Sequence, residues 1–218
     1  IASKDPGLIV QVLEEIHKFK LKGSGPTSFH LGCDFWRDKD GVLCYAPKKY
    51  ILRMMDTYER LYGKKPKQYV APLDGGDHPE LDDSELLEIQ DIKIYQSLIG
   101  ALQWVIQLGR LDVTTSVMTL SRFRAAPRQG HLTRVKRIYG YLSKMRHGVI
   151  RIRSDLPDYS VLPERTYDWD NTCYEGAQEL IPTDMPRPLG KEVQTTTFVD
   201  ANLHHDLISG RSVTGILH

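Results

Sequence analysis

Cysteine is scarce in this 218-residue chain: Cys33, Cys44 and Cys173 form an odd set with no C-x-x-C spacing. That pattern supports neither a disulfide framework nor a zinc site, and it fits a reducing, intracellular setting. Long apolar runs are missing as well. No stretch approaches the ~20 residues that cross a bilayer, and no charged-then-apolar leader opens the chain, so no membrane partner is expected. Internal repeats are absent, and a single adjacent aspartate pair occurs, Asp82-Asp83. An initiating Met is lacking too. The chain opens inside an apolar phrase, Ile1-Ala2-Ser3, and closes on Thr214-Gly215-Ile216-Leu217-His218, which reads as an unfinished strand. A fragment at both ends is the expectation.

What is there is the composition of a soluble globular protein, 40% hydrophobic and 26% charged, which excludes disorder of the chain as a whole. The net charge of +1 is a cancellation. Between Val113 and Ser154 stand ten Lys and Arg residues and no acid, whereas Gln68 to Ile92 carries eight acids and no Lys or Arg. Charges sorted into blocks create separate local fields. A solvated helix normally alternates charge signs, and in the basic block no acid offsets the repulsion, which points that block toward phosphate groups.

Asp5-Pro6 supplies an N-cap and a first-turn proline, and Ile9, Val12, Leu13 and Ile16 repeat at helical spacing, predicting an amphipathic helix to about Lys18. Phe19-Lys20-Leu21 alternates like a strand, and Gly23 to Pro26 is a breaker. Phe29 to Trp36 reads as one apolar run, Asp38-Lys39-Asp40-Gly41 as a turn, and Val42 to Tyr45 as the other half of a hairpin. Pro47 opens a second helix with Tyr50, Ile51, Met54, Met55, Tyr58 and Leu61 on its apolar face, and Gly63 stops it. Ile94 to Leu108 is apolar on most sides, as a buried helix is, and its Trp104 is expected in the core. Two more helices are predicted, from about Asp112 to Arg124 and from Gln129 to Arg146. The latter turns Leu132, Val135, Tyr139 and Leu142 to one face and Arg134, Arg137 and Lys144 away from it. Tyr139 and Tyr141 offer rings for stacking on bases, although aromatics at helical spacing are more often core. Val149 to Arg153 alternates as a strand with outward Arg, Ser154 to Val193 reads as a linker or insertion, and Thr195 to Val199 and Ser212 to Ile216 read as partner strands.

Several phrases then carry a resemblance. Tyr95-Gln96-Ser97-Leu98-Ile99-Gly100-Ala101-Leu102, Arg110-Leu111-Asp112, Leu120-Ser121-Arg122-Phe123, His131, Val135-Lys136-Arg137 and Tyr141-Leu142 resemble, in that order, the region after the polymerase palm of copia-type LTR retrotransposon polyproteins. Phe29-His30-Leu31-Gly32, Arg37 to Gly41 and Lys49-Tyr50-Ile51 resemble that family's hairpin and thumb. Phe198-Val199-Asp200-Ala201 and Ser212-Val213-Thr214-Gly215 resemble the opening of its ribonuclease H domain. The resemblance covers nearly everything outside Ser154 to Val193. It implies an α+β chain divided as follows: 1–46, the end of the palm with a primer-grip-like hairpin; 47–67, a thumb-like helix; 68–153, an acidic loop and basic helical connection; 154–193, a linker or insertion; 194–218, the first strands of an incomplete ribonuclease H-like domain. The cellular setting so implied is cytoplasmic, in a particle, or nuclear.

The implied partners are an RNA/DNA template-primer duplex and the rest of the Pol polyprotein. The family's polymerase site is a Tyr-x-Asp-Asp hairpin whose carboxylates bind two magnesium ions; it would precede Ile1, with Ile1-Ala2-Ser3 as its exit strand. Asp82-Asp83 reads instead as a solvated turn. Leu31-Gly32 would be the grip, where a residue without a side chain lets the backbone approach the primer; on the residues alone, Gly32 equally relieves a twist in a strand. Lys48, Lys49 and Arg53, with Lys64, Lys65 and Lys67 beyond, would contact the duplex backbone or form a solvated face. Arg122, Arg124, Arg128, Arg134, Lys136, Arg137 and Lys144 would bind phosphates, positioning a duplex without reading its sequence. Asp200 would be the first carboxylate of the ribonuclease H magnesium site, its partners lying beyond His218. Leu203 and His204 depart from the family, which usually has Trp and a small residue there. His204-His205-Asp206 is not read as a metal cluster, because adjacent strand residues point to opposite faces.

Three readings follow: a fragment of such a polymerase, inactive alone; a nucleic-acid-binding module without catalysis; and a helical scaffold whose basic helix docks on an acidic surface, such as its own Asp74 to Asp91 loop. The first is the expectation.

Overall fold

The computed structural model describes residues 4–22, 25–153, 160, 180, 182–187 and 197–217, so the expected exit strand at Ile1-Ala2-Ser3 and most of the 154–193 segment lie outside the described residues. The chain divides into two units, Ile1–Arg153 and Ser154–His218. Five helices and two antiparallel sheets make it α+β among the described residues.

In the first unit, helix α1 (Pro6–Glu15) starts as its capping signal dictates, with the Asp5 carboxylate accepting the Leu8 N–H at 3.1 Å. It ends before Lys18 and buries no residue, and Phe19 to Leu21 forms no strand because no neighbour offers a ladder to it. The run from Phe29 to Trp36 is broken in two. Strands β1 (Phe29–His30) and β2 (Cys33–Arg37) pair through Phe29↔Asp34 and His30↔Cys33 around a two-residue loop. That loop has Leu31 at φ 49° and Gly32 at φ 97°, as a type I′ hairpin turn demands of both central residues. The second turn follows the sequence: the Asp38 carboxylate accepts the N–H groups of Asp40 and Val42 and turns the chain into β3 (Leu43–Ala46).

Strand β4 (Ile150–Ile152) then adds antiparallel to β3, giving the order β1-β2-β3-β4. Its outward Arg151 is anchored by Asp38 at 2.6 Å and Asp40 at 3.3 Å.

Between β3 and β4 lie the helices. Helix α2 (Lys48–Tyr62) has the bounds that Pro47 and Gly63 predict, and it buries Ile51, Met54 and Tyr58 while Leu61 faces solvent. Helix α3 (Ile89–Gln107) begins five residues earlier than its apolar pattern, since a polar first turn is tolerated at the surface. A short 3-10 turn, Leu111–Val113, precedes α4 (Thr114–Ser121), so the helix predicted from Asp112 to Arg124 is shorter than expected at both ends. Helix α5 (Gln129–Lys144) buries Leu132, Val135, Tyr139 and Leu142 as its periodicity requires. The core is their common interior: Ile51, Tyr58, Tyr95, Ile99, Leu102, Val117, Leu120, Val135, Ile138 and Leu142. Its two deep tyrosines satisfy their hydroxyls on backbone, Tyr95 donating to Leu120 O at 2.7 Å and Tyr139 to Leu98 O at 3.3 Å. Trp104 corrects the expectation of a core residue: 43% of it is exposed, because α3 turns Gly100, Gln103, Trp104 and Gln107 outward.

The second unit holds the hairpin of β5 (Phe198–Asn202) and β6 (Val213–Leu217), with Asp200 opposite Gly215. His204, His205 and Asp206 lie in the turn after β5 rather than on a strand. Asp206 is buried and organises that turn by accepting the N–H groups of Ile208 and Ser209 at 3.1 and 2.8 Å.

Candidate nucleic-acid interface

The Leu31–Gly32 turn and the first turn of α2 are built as one piece. Pro47 at the helix start provides no side-chain cap, and β2 supplies it instead: the Asp34 carboxylate accepts the Lys49 backbone N–H at 3.2 Å and pairs with Lys49 Nζ at 3.1 Å. Lys49 Nζ also lies 4.9 Å from the centre of the Phe29 ring, and Lys48 Nζ lies 4.0 Å above Trp36. Arg53, a turn further along the helix, sits 5.8 Å from the Tyr50 ring. Leu31 projects into solvent, 67% exposed, while Gly32 presses inward. A Cβ on Gly32 would meet Leu108 Cδ1 at 3.1 Å and Trp104 Nε1 at 3.8 Å, so the turn lies against the end of α3. Thus Phe29 and Asp34, one on each side of the Leu31–Gly32 turn, hold Lys49 at the start of α2, with Leu31 exposed and Gly32 buried.

The basic residues of the 113–154 block have a different fate. Acids from the 68–92 segment reach across and offset the repulsion that the block leaves uncompensated within itself. Arg134 forks to both Asp77 oxygens, at 2.8 to 3.1 Å, and gives its remaining Nη1 to Asp82 at 2.5 Å. Arg137 holds Asp74 bidentately at 2.6 and 2.7 Å. Arg128 donates to the Ser84 carbonyl, and Ser84 Oγ accepts the Gly130 N–H at 2.8 Å. Asp82 is therefore no solvated turn residue: its side chain is 8% exposed. Burial raises its pKa, but the hydrogen bonds from Ser84 and Arg134 outweigh that and hold the carboxyl below the usual range.

Two glycines on α5 make this seat. A Cβ on Gly130 would stand 1.7 Å from Asp82 Oδ2, and one on Gly140 would stand 1.8 Å from the Lys67 carbonyl oxygen. Helix glycines cost about 1 kcal/mol against alanine; here they let the acidic segment lie directly on the helix. Between them, the ring of buried His131 accepts the Arg128 N–H on Nδ1 at 3.1 Å, so the proton sits on Nε2 and is donated to the Pro79 carbonyl at 2.9 Å. Burial lowers the pKa of this imidazole.

The other expected cations sit around this core. Arg122 and Arg124 are exposed after α4, the latter donating to the Ser121 carbonyl at 3.2 Å. Lys144 is exposed in the last turn of α5, and Lys136 Nζ lies 4.2 Å over the Tyr62 ring. Sequence reasoning missed Asp34 and Trp104 as members of these surfaces, and it offered the Asp74 to Asp91 loop as an acidic partner of the basic helix without pairing Asp74, Asp77 and Asp82 to their arginines. Gly130 and Gly140 inside an otherwise strong helix were the signal that another segment lies on it.

Asp200 stands exposed on β5. Among the described residues no group of three His, Cys, Asp or Glu is disposed to hold a metal ion. One carboxylate does not fit a magnesium site, which takes several oxygen ligands in an octahedron. Among the described residues, likewise, no helix is long and apolar enough to cross a membrane.

No protein-family profile and no solved structure matches the chain. Two curated proteins do, and both carry the names of transposons. The first is a transposon Ty5-1 protein of Saccharomyces cerevisiae, 27% identical over 155 residues, which are 71% of this chain and 49% of that protein. The second is a retrovirus-related Pol polyprotein from transposon RE1 of Arabidopsis thaliana, 27% identical over 151 residues, 68% of this chain and 10% of the polyprotein. The chain thus spans about half the length of one relative and a tenth of the other.

Proposed function

We propose that this chain is part of a copia-type retrotransposon reverse transcriptase, from the end of the palm through a thumb-like helix and connection to the start of a ribonuclease H domain, and that it holds the RNA/DNA template-primer duplex. The observation that carries the reading is the tie, made by Asp34 and Phe29, between the strands that flank the Leu31–Gly32 turn and the cationic start of α2. The turn offers backbone to a nucleic-acid strand, and Lys48, Lys49 and Arg53 offer charge to its phosphates. Such contacts hold a duplex in position without reading its bases. Arg122 and Arg124, beside the start of α5, and Lys144, at its end, are further exposed cations.

Polymerisation and hybrid cleavage belong to the parent protein, where carboxylates would hold magnesium to activate the primer end and the attacking water. Asp200 is the carboxylate this chain would contribute. The chain alone is expected to bind and not to turn over. Fluorescence anisotropy with an RNA–DNA hybrid across a salt series tests the reading. Lys48→Gln with Lys49→Gln is expected to weaken binding at low salt and to lower the slope of log affinity against log salt by about 2, close to one for each lost phosphate contact. No binding by the parent chain, or equal affinity and slope in the double variant, overturns it.

The Arg134 and Arg137 ion pairs favour a second reading for one part of the surface, a helical scaffold in which α5 docks on the chain's own acidic segment. The two readings divide the molecule: Arg134 on α5 serves the fold, and α2 with the Leu31–Gly32 turn serves the duplex.

A further inference from the structure

The acidic segment holds its two arginines in different ways, and the difference bears on the duplex surface just proposed, on which the identity of the ligand below rests. Arg134 is locked. Its partners Asp77 and Asp82 are 16% and 8% exposed, and both are seated against the helix. Arg137 is only occupied: the side chain of its partner Asp74 is 72% exposed. Asp74 is followed by Gly75 and Gly76, the latter at φ +70°, and neither glycine has a neighbour within 4 Å of its Cβ position. The dipeptide forms the centre of an open turn that the Asp77 N–H closes onto the Asp74 carbonyl at 3.3 Å, with no neighbour to obstruct the Asp74 side chain from that side.

Arg137 does not need Asp74 to stay where it is. Its guanidinium lies 4.5 Å from the Tyr69 ring centre, and its Nε donates to the Ala71 carbonyl at 3.4 Å. It lines, with Arg134, Tyr69 and Thr133 and the two carboxylates Asp74 and Asp77, a cavity of about 440 Å³, wide enough for a tetrahedral anion.

We propose that Arg137 is a phosphodiester-binding residue whose site is filled in the free chain by Asp74, whose exposed side chain turns out into solvent when a nucleic-acid phosphate takes its place. A carboxylate and a phosphate present the same pair of oxygens to a guanidinium fork, so the exchange preserves both hydrogen bonds. Asp77 remains on Arg134, and its charge limits the site to a single phosphate. An exposed carboxylate competes only weakly, so the built-in occupant lowers affinity without closing the site.

Anisotropy with a short RNA–DNA hybrid decides the matter. Asp74→Asn is expected to tighten binding about fivefold at low salt, the factor that about 1 kcal/mol is worth, and to steepen the salt slope by up to about 0.9. Asp83→Asn makes the same charge change on an exposed neighbouring residue and is expected to leave both quantities near those of the parent chain. Adding Arg137→Gln to Asp74→Asn is expected to remove the gain. Equal tightening by Asp74→Asn and Asp83→Asn, or a gain that survives Arg137→Gln, reduces the effect to net charge and overturns the proposal. If the parent chain binds and Lys48→Gln with Lys49→Gln weakens it, but Asp74→Asn changes nothing, the proposal falls and the duplex reading stands. Failure of every variant to bind the hybrid overturns both.

Discussion

Replacing Gly140 by alanine should destabilise the first unit, against the usual effect of that change in a helix. Filling a helix glycine ordinarily stabilises by up to about 1 kcal/mol. At Gly140, however, the new methyl would lie 1.8 Å from the Lys67 carbonyl oxygen, 3.0 Å from its carbon and 2.8 Å from Tyr69 Cδ2. The obstacle is backbone, which cannot rotate aside, so the 67–69 segment must lift by more than 1 Å, on the order of an overpacked core site costing about 1–3 kcal/mol. Lifting it also draws Tyr69 off Arg137. The net expectation is a loss of about 1–2 kcal/mol, or a fall of roughly 2–8 °C in the unfolding midpoint of a unit this size. Gly100 on α3 is the internal reference, since its Cβ position has nothing within 4 Å. Gly100→Ala should stabilise by about 0.5–1 kcal/mol. Urea unfolding followed by far-ultraviolet circular dichroism measures both. A Gly140→Ala chain as stable as the parent, or more so, refutes the claim that the acidic segment lies directly on α5.

Three further outcomes follow from the same packing. Arg134→Leu strands the largely buried carboxylates of Asp77 and Asp82, so it should cost about 3 kcal/mol in urea unfolding, and a loss under about 1 kcal/mol refutes the lock. His131 is neutral in the fold with a lowered pKa, so its contribution is fully present above the ordinary imidazole pKa of about 6.5 and is lost as pH falls below it. Stability measured from about pH 8 to pH 5 should therefore decline below about 6.5, and a His131→Gln chain should lack that part of the slope. Trp104→Ser should cost about 1–3 kcal/mol, less than a fully buried Trp, because 43% of it is in water, and a cost above about 4 kcal/mol would return Trp104 to the core.

Features set by neighbours in sequence were legible in advance. Pro47 and Gly63 bound α2 to the residue, and the spacing of Leu132, Val135, Tyr139 and Leu142 gave the buried face of α5. Features set by distant residues were not. The apolar run from Phe29 hid the turn at Leu31–Gly32, because composition alone does not reveal that two positive φ values fold a strand back on itself. Trp104 looked like core because α3 is apolar on most sides, and periodicity cannot say which side finds no neighbour. The two charge blocks were visible from the start. That they meet, Arg134 to Asp77 across 57 positions and Arg137 to Asp74 across 63, is a fact of tertiary structure. On the candidate interface, Leu31, Gly32, Lys48 and Lys49 were nominated together from separate phrases, and Asp34, the residue that joins them, was not.

Strand β4 has a consequence for how the molecule is made. It closes the sheet beside β3 with Arg151 reaching Asp40 across 111 positions, so a ribosome delivers the hairpin, four helices and the acidic segment before the last strand emerges. Until then one border of β3 carries unmet amide and carbonyl groups. Nascent chains stalled or cut short before Ile150 should thus be the ones that stick to each other, and those released after Arg153 should not.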